Sequence, residues 1–273
     1  MESYLQRMEQ LKVEPNFWCS VEYAEKAGLC GCEILTMSGV TYSVVDQAEG
    51  WDVFPPLHVS PDGVDWIRLC RYPPHNRIWS DFPGFPGEEM GYTPHFLDYE
   101  YIYDPRDFLT MEGGKWMTFR KNSRKWQRRN PPGYFYVDAR EGGLTSTELE
   151  VLLVDWLGTL GDTDEVHDDE VMLKYLLEGV NRKALYRESD RKLMGVNIWD
   201  SNYMFINFRY SICRPEPFLA EFMRLLFYTD MGLHTEGKLV NDGGVLDRYS
   251  LKQFKDRMNP VRVRMVRSWK GPE

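Results

Sequence analysis

Apolar and polar positions change rhythm several times along the chain, and each rhythm predicts an element. Up to about Gly91, short apolar runs such as residues 40–45 and 66–70 alternate with turn signals like Pro61-Asp62-Gly63, which reads as strands and loops with one or two short helices. Pro83-Gly84-Phe85-Pro86-Gly87 fits neither a regular helix nor a central strand, because proline has no amide to donate and glycine resists ordering. It is expected to loop over a surface or cleft. Alternation over residues 97–103 predicts a strand, Asp104-Pro105 starts a helix through Met111, and Gly113-Gly114 interrupts it. A second helix is expected over residues 115–129, ended by Pro131-Pro132-Gly133.

From Tyr134 the order of elements becomes informative. A strand over residues 134–139 is followed by a helix over 148–160, capped by Thr145 or Ser146, and another over about 168–179. Three antiparallel strands follow at 183–187, 192–199 and 203–210, with polar turns at Glu188-Ser189-Asp190 and Asp200-Ser201-Asn202. A helix from Pro215 or Glu216 to Tyr228, a short strand near 238–240, a helix over 248–258 and a strand over 261–266 complete the chain. This β-α-α-β-β-β-α-β-α-β order is that of the GNAT acyltransferase fold. The predicted class is α+β, a mixed central sheet flanked by helices.

Composition narrows the function classes. Lys plus Arg number 33 against 42 Asp plus Glu, a net charge of -9, so a wholly basic nucleic-acid coat protein is excluded. No run of about 18 uncharged apolar residues occurs, and MESYLQRMEQLKVEP has neither an apolar signal core nor a small-residue cleavage site; the expectation is a protein without a transmembrane segment. The five cysteines are odd in number and scattered, which argues against a disulfide framework and points to a reducing, cytoplasmic location.

Three segments sharpen the fold reading. They are Tyr99-Glu100-Tyr101-Ile102-Tyr103-Asp104-Pro105-Arg106-Asp107-Phe108 with Gly114-Lys115-Trp116-Met117-Thr118-Phe119-Arg120-Lys121-Asn122; then Val240-Asn241-Asp242-Gly243-Gly244; then Leu251-Lys252-Gln253-Phe254-Lys255 with Pro260. Together they resemble the soluble catalytic domain of the phosphatidylglycerol lysyltransferases, the DUF2156 family, which is similar to the Fem peptidoglycan aminoacyltransferases. The resemblance implies two GNAT-like units in tandem and aminoacyl-tRNA as donor. It divides the chain into a degenerate N-terminal unit at 1–112, a basic linking helix at 113–133 and a C-terminal unit at 134–273. The membrane-spanning part of the lipid transferases is not seen here, which puts a phospholipid acceptor in doubt. A second departure is at Tyr210-Ser211-Ile212-Cys213-Arg214-Pro215-Glu216-Pro217, where acetyl-CoA-dependent GNAT enzymes carry a glycine-rich loop. Without glycine, and with two prolines removing amide donors, this segment is poorly suited to a pyrophosphate.

The candidate chemistry falls in three places. Lys115, Arg120, Lys121, Arg124, Lys125, Arg128 and Arg129 crowd one helix of an acidic chain, with Trp116, Phe119 and Trp126 at near-helical spacing. Such a helix suits the phosphates of a tRNA acceptor end, with a tryptophan available to stack on a base; the alternative is a solvated charged face. In Asn241-Asp242-Gly243-Gly244, Asp242 is a candidate for an amine and Asn241 for a carbonyl, against an ordinary turn. Lys252, Lys255 and Arg214 are candidates for donor phosphates. Asp242 or Asp200 is a candidate general base, although Asp200 equally suits a hairpin turn. Cys30-Gly-Cys32 lacks a matching ligand pair for zinc, and His167 stands in an acidic helix start.

The expected function is transfer of an activated amino acid from aminoacyl-tRNA to an amine or hydroxyl acceptor, with no cofactor. Two alternatives stand beside it. One is an acyl-CoA-dependent N-acyltransferase, possibly acting on nucleic acid; the other is an inactive GNAT-like nucleic-acid-binding module.

Overall fold

The computed structural model describes residues 2–27, 33–37, 40–47, 50–53, 75–79, 87–130, 133–158, 169–179, 181–245 and 248–271. The runs at 66–70 and 83–86, the Cys30-Gly-Cys32 pair and His167 lie outside these residues. Helices α1 (Glu2–Leu11) and α2 (Val21–Lys26) precede strands β1 (Glu33–Met37), β2 (Val40–Gln47), β3 (Gly50–Val53), β4 (His75–Trp79) and β5 (Thr93–Tyr103). Helices α3 (Asp107–Thr110) and α4 (Met117–Arg129) lead to β6 (Tyr134–Asp138), α5 (Ser146–Leu157), α6 (Asp169–Glu178), β7 (Asn181–Arg187), β8 (Leu193–Ser201) and β9 (Phe205–Cys213). The chain ends with α7 (Leu219–His234), β10 (Leu239–Asn241), α8 (Tyr249–Asp256) and β11 (Arg262–Lys270).

All described strands join one mixed sheet in the order β1-β2-β3-β4-β11-β5-β10-β9-β8-β7-β6. Strands β6 to β9 form an antiparallel meander, and β10 runs parallel to β9. A parallel neighbour needs a crossover, and α7 supplies it. The long strand β5, from the first half of the sequence, lies between β10 and β11 and pairs antiparallel with both. The two halves therefore share one sheet.

Helices cover both faces, giving the α+β arrangement of a mixed sheet between helical layers. Leu152, Met172 and Tyr175 of α5 and α6 pack on Val196, Ile198 and Ile212. On the other face Phe227 and Tyr228 of α7 pack with Phe108, Trp116, Phe119 and Phe208. Helix α4 presents Trp116, Phe119, Ser123 and Trp126 inward from its start to its last turn, so the apolar stripe read from the sequence is the packing face.

Among the boundaries that differ from the pattern, three have a clear physical cause. Strand β5 begins at Thr93 because Thr93, Pro94 and His95 are opposed by Lys270, Trp269 and Ser268 of β11, a partner that local alternation cannot reveal. Helix α7 continues beyond Tyr228 to His234: Gly232, which reads as a breaker, lets the helix approach Pro105, whose carbonyl oxygen would lie 2.7 Å from a Cβ there. Asp200 sits in β8 rather than in a turn, and it is buried.

Helix α5 opens with a capping box in which the Thr145 hydroxyl accepts from the Glu148 amide while the Glu148 carboxylate accepts from the Thr145 amide. Thr145→Ala is expected to lower stability by about 1 kcal/mol, read from the midpoint of urea unfolding at unchanged slope.

Candidate functional site

The site is built where β9 and β10 part. Their pairing ends at Asn207 opposite Asn241. Beyond it the chain follows β5 instead, with the Asp242 amide donating to the Tyr101 carbonyl (2.9 Å) and the Tyr101 amide to the Gly243 carbonyl (3.1 Å). At the same level β9 carries a bulge: Ile198 opposes Tyr210 and Trp199 opposes Phe208, which leaves Arg209 as the extra residue. The bulge turns Arg209 onto the same face as Tyr210, where its guanidinium stacks over Phe17 (4.2 Å) and Tyr23 (4.7 Å).

On the side of the split toward α7, Asp242 is buried and its carboxylate is fully engaged. Arg224 Nη1 donates to both oxygens (2.9 and 2.8 Å), the Tyr228 hydroxyl to Oδ2 (2.8 Å), and Lys255 Nζ lies 3.3 Å from Oδ1. Lys255 donates in addition to the carbonyls of Asp242, Gly243 and Gly244. Burial pulls its ammonium below the ordinary lysine value, and the Asp242 charge opposes that shift. Lys255 thus clamps the Asn-Asp-Gly-Gly loop from α8 and does not face a donor phosphate. Both glycines are required: Gly243 adopts φ 59° with the Phe17 ring 3.0 Å from where a Cβ would stand, and at Gly244 an Asp98 carboxylate oxygen would be only 1.8 Å from one. The spacing of glycines and lysine is the geometry of a clamped loop.

The opposite face of the same strands carries a row of polar side chains. Asp200 of β8 accepts from Ser20 (2.8 Å), Tyr175, Asn207 (2.9 Å) and Arg209 (2.7 and 3.1 Å). Asn241 of β10 donates to Glu100 of β5 (3.1 Å) and accepts from the Gly243 amide (3.0 Å). Glu100 accepts also from Arg264 of β11 and from the Phe17 amide (2.7 Å). Burial works against the charge on Arg209, and neighbouring Asp200 overcomes it, leaving the arginine above its ordinary value. Asn241 therefore positions a loop and a carboxylate, and Asp200 is a saturated partner of Arg209 with no lone pair directed at a substrate.

The basic helix divides its cations. Lys115, Lys121, Arg124, Arg128 and Arg129 are exposed. Arg120 turns inward and donates to the carbonyl of Met111 (2.6 Å), a residue in the left-handed region at φ 49°. Lys125 and Arg129 stack on Phe218 (4.2 and 5.0 Å), itself at φ 72° at the start of α7. Trp116 and Trp126 are both within 2 % of full burial, and the Trp126 indole donates to Glu216, so neither is available to stack on a base. Arg214 donates to the Leu193 carbonyl (2.7 Å) and pairs with Asp155. Lys252 pairs with Asp256 on the exposed face of α8 (2.8 Å).

Burial also acts on two cysteines. It pushes the thiols of Cys19 and Cys213 up to about 12, so neither is a thiolate near neutral pH. Sequence reasoning missed Arg209, Arg224, Arg264 and Glu100. A signal existed, since Glu100 and Arg209 are lone charges inside the apolar runs Tyr99-Glu100-Tyr101-Ile102 and Phe208-Arg209-Tyr210.

Solved structures share this fold along nearly the whole chain. A conserved protein of unknown function from Bacteroides thetaiotaomicron VPI-5482 is 12% identical, with 98% of this chain and 97% of that chain covered and a TM-score of 0.68. The C-terminal domain (DUF2156) of a putative lysylphosphatidylglycerol synthetase from Agrobacterium fabrum is 14% identical, with 100% and 93% covered and a TM-score of 0.63. FemX is 9% identical, with 98% and 95% covered and a TM-score of 0.60. The chain has a DUF2156- and Fem-like fold. No protein-family model matches the sequence, and no curated protein matches it.

Replacing Lys255 with Met would leave the Asp242 carboxylate short of a cation and three carbonyls without their donor. The expected loss is about 3 kcal/mol or more of unfolding free energy, measured by urea titration; a loss under about 1 kcal/mol would show that the clamp is dispensable.

Proposed function

We propose that the protein is an aminoacyl transferase that takes an activated amino acid from aminoacyl-tRNA and passes it to an amine or hydroxyl acceptor. The fold likeness to a lysylphosphatidylglycerol synthetase domain and to FemX supports transfer of an aminoacyl group. The observation that carries the choice of donor is the start of α7. There the Arg214, Glu216 and Leu219 amides are spent on the carbonyls of Met194, Arg214 and Glu216, and Pro215 and Pro217 have none to give. The Glu216 carboxylate stands at the same turn. A pyrophosphate would meet few donors and a negative charge, which speaks against acyl-CoA and for a donor held elsewhere.

The exposed cations of α4 are the part suited to that donor. Lys121, Arg124 and Arg128 point away from the packed stripe, and phosphate contacts of this kind position a nucleic acid without reading its sequence. The tRNA ester is already activated, so the chemistry asks for positioning and for donors facing the developing oxyanion. Arg224 is a cation at the parting of the strands on the α7 face, fixed by Asp242 over the Phe208 ring at 4.0 Å. Asp242 then works by holding Arg224, not as a base. The acceptor nitrogen or oxygen bonds to the carbonyl carbon, the ester C–O bond breaks, and the acceptor proton ends on the tRNA ribose hydroxyl.

The test combines Lys121→Glu, Arg124→Glu and Arg128→Glu. Affinity for aminoacyl-tRNA is expected to fall at least tenfold at unchanged melting temperature, with the slope of log affinity against log salt shallower by about 0.7 per lost phosphate contact. Unaltered affinity removes α4 from the donor site. If the wild-type protein releases no amino acid from a mixed aminoacyl-tRNA pool in the presence of amine and hydroxyl acceptors, the transferase reading fails.

A further inference from the structure

The polar row beneath the N-terminal segment is built in a way that a structural core does not require. Asp200, Asn207, Arg209, Asn241 and Glu100 lie side by side on four adjacent strands, all buried, and an apolar face of equal volume would be at least as stable. Two of its atoms have no hydrogen-bond partner despite complete burial: the acceptor Asn207 Oδ1 and the donor Arg209 Nη1. They belong together, because Asn207 Nδ2 and Arg209 Nη2 share a single oxygen, Asp200 Oδ1, at 2.9 and 3.1 Å.

What covers the row is a piece of chain without regular secondary structure, residues 13–20, running between α1 and α2. This strap holds on by polar contacts that a ligand would reproduce. The Phe17 amide donates to Glu100 (2.7 Å), the Pro15 carbonyl accepts from Arg264 (3.0 Å), the Cys19 carbonyl accepts from Asn202 (2.9 Å), and the Ser20 hydroxyl bridges Asp200 and Arg209. The Phe17 ring lies directly over the Arg209 guanidinium. Glu100 and Asp200 are balanced by Arg209 and Arg264, so these four side chains offer no surplus positive charge to attract a phosphate. It suits a group with a donor at one end and an acceptor at the other.

We propose that this row is a ligand site closed by its own N-terminal strap, and that it takes the amino-acid moiety of the substrate, the amine donating to Asn207 Oδ1 and a carbonyl or carboxylate oxygen accepting from Arg209 Nη1. The identity of the ligand rests on the aminoacyl transferase reading. Entry displaces Phe17 and lifts the strap, which uncovers Cys19, now 1% exposed.

The experiment needs neither tRNA nor turnover. The full chain is titrated calorimetrically with the standard amino acids and their amides, and with the matching acids that lack the amine, while Cys19 is trapped with iodoacetamide and identified by peptide mass. At least one amino acid or amide is expected to bind saturably and its deaminated acid at least tenfold more weakly, with Cys19 labelled at least threefold faster when the site is filled. Asn207→Leu is expected to weaken binding at least tenfold. Absence of saturable binding by the wild-type chain overturns the proposal and leaves an ordered water only between the two atoms. Binding with unchanged Cys19 labelling places the ligand elsewhere and overturns it too, a readout that stands if Asn207→Leu does not fold. Amino-acid binding without transfer from tRNA keeps this site and removes the transferase, whereas transfer indifferent to Asn207→Leu does the reverse.

Discussion

Charge taken out of water has to be matched, and the sheet is organised around that requirement. Asp200 and Glu100 are each 1% exposed, and each is answered by an arginine from a strand beside it. The matches work in a single register. Sliding β9 by one residue against β8 would carry Arg209 to the other face and leave both partners buried and unpaired, a penalty larger than any strand propensity. The row therefore selects the alignment of β8, β9, β10, β5 and β11 more sharply than apolar packing alone would. It also explains how a strand from the first half of the chain finds its slot between two from the second half, since Glu100 on β5 is the residue that Asn241 and Arg264 both need.

The face toward α7 is held by a different device. There the loop after β10 is rigid because one ammonium gathers three carbonyls, and Asp242 is the counter-charge that makes an ammonium tolerable at that depth. Helix α4 combines two functions along its length. Arg120 supports a left-handed residue, Met111, and Lys125 supports another, Phe218, so part of its charge offsets backbone strain of about 1 kcal/mol or more at each. Lys121, Arg124 and Arg128 carry no such duty. A helix whose position is fixed by Trp116, Phe119 and Trp126 can present them as a rigid array.

Much of the architecture could be read from the sequence because it depends on local pattern: the element order after Tyr134, the capped start of α5 and the packing stripe of α4 all follow from periodicity and capping. The site was less legible. Asn241, Asp242 and Lys255 were visible as motif residues, yet their roles invert on folding, since Lys255 serves the loop and Asp242 serves Arg224. Asp200 resembles a turn residue beside Ser201 and Asn202 until the Arg209 side chain reaches it from the neighbouring strand beside a bulge, and a bulge leaves no mark in hydrophobic alternation. Arg264 and Ser20 acquire meaning only through partners 164 and 180 positions away. Long-range pairing of charge is the information that a linear reading lacks.

The strap has one more consequence, which concerns time. Its anchors are Glu100, Asp200, Asn202 and Arg264, so residues 13–20, made well before these partners, have nowhere to settle until β11 has been made. Loop closure over such separations is slow, and the sheet beneath must already be aligned before Glu14 can meet Arg264 across 250 positions. Residues 13–20 thus seat after strands made much later than themselves. Until then the charged face of the sheet stands open to the surroundings.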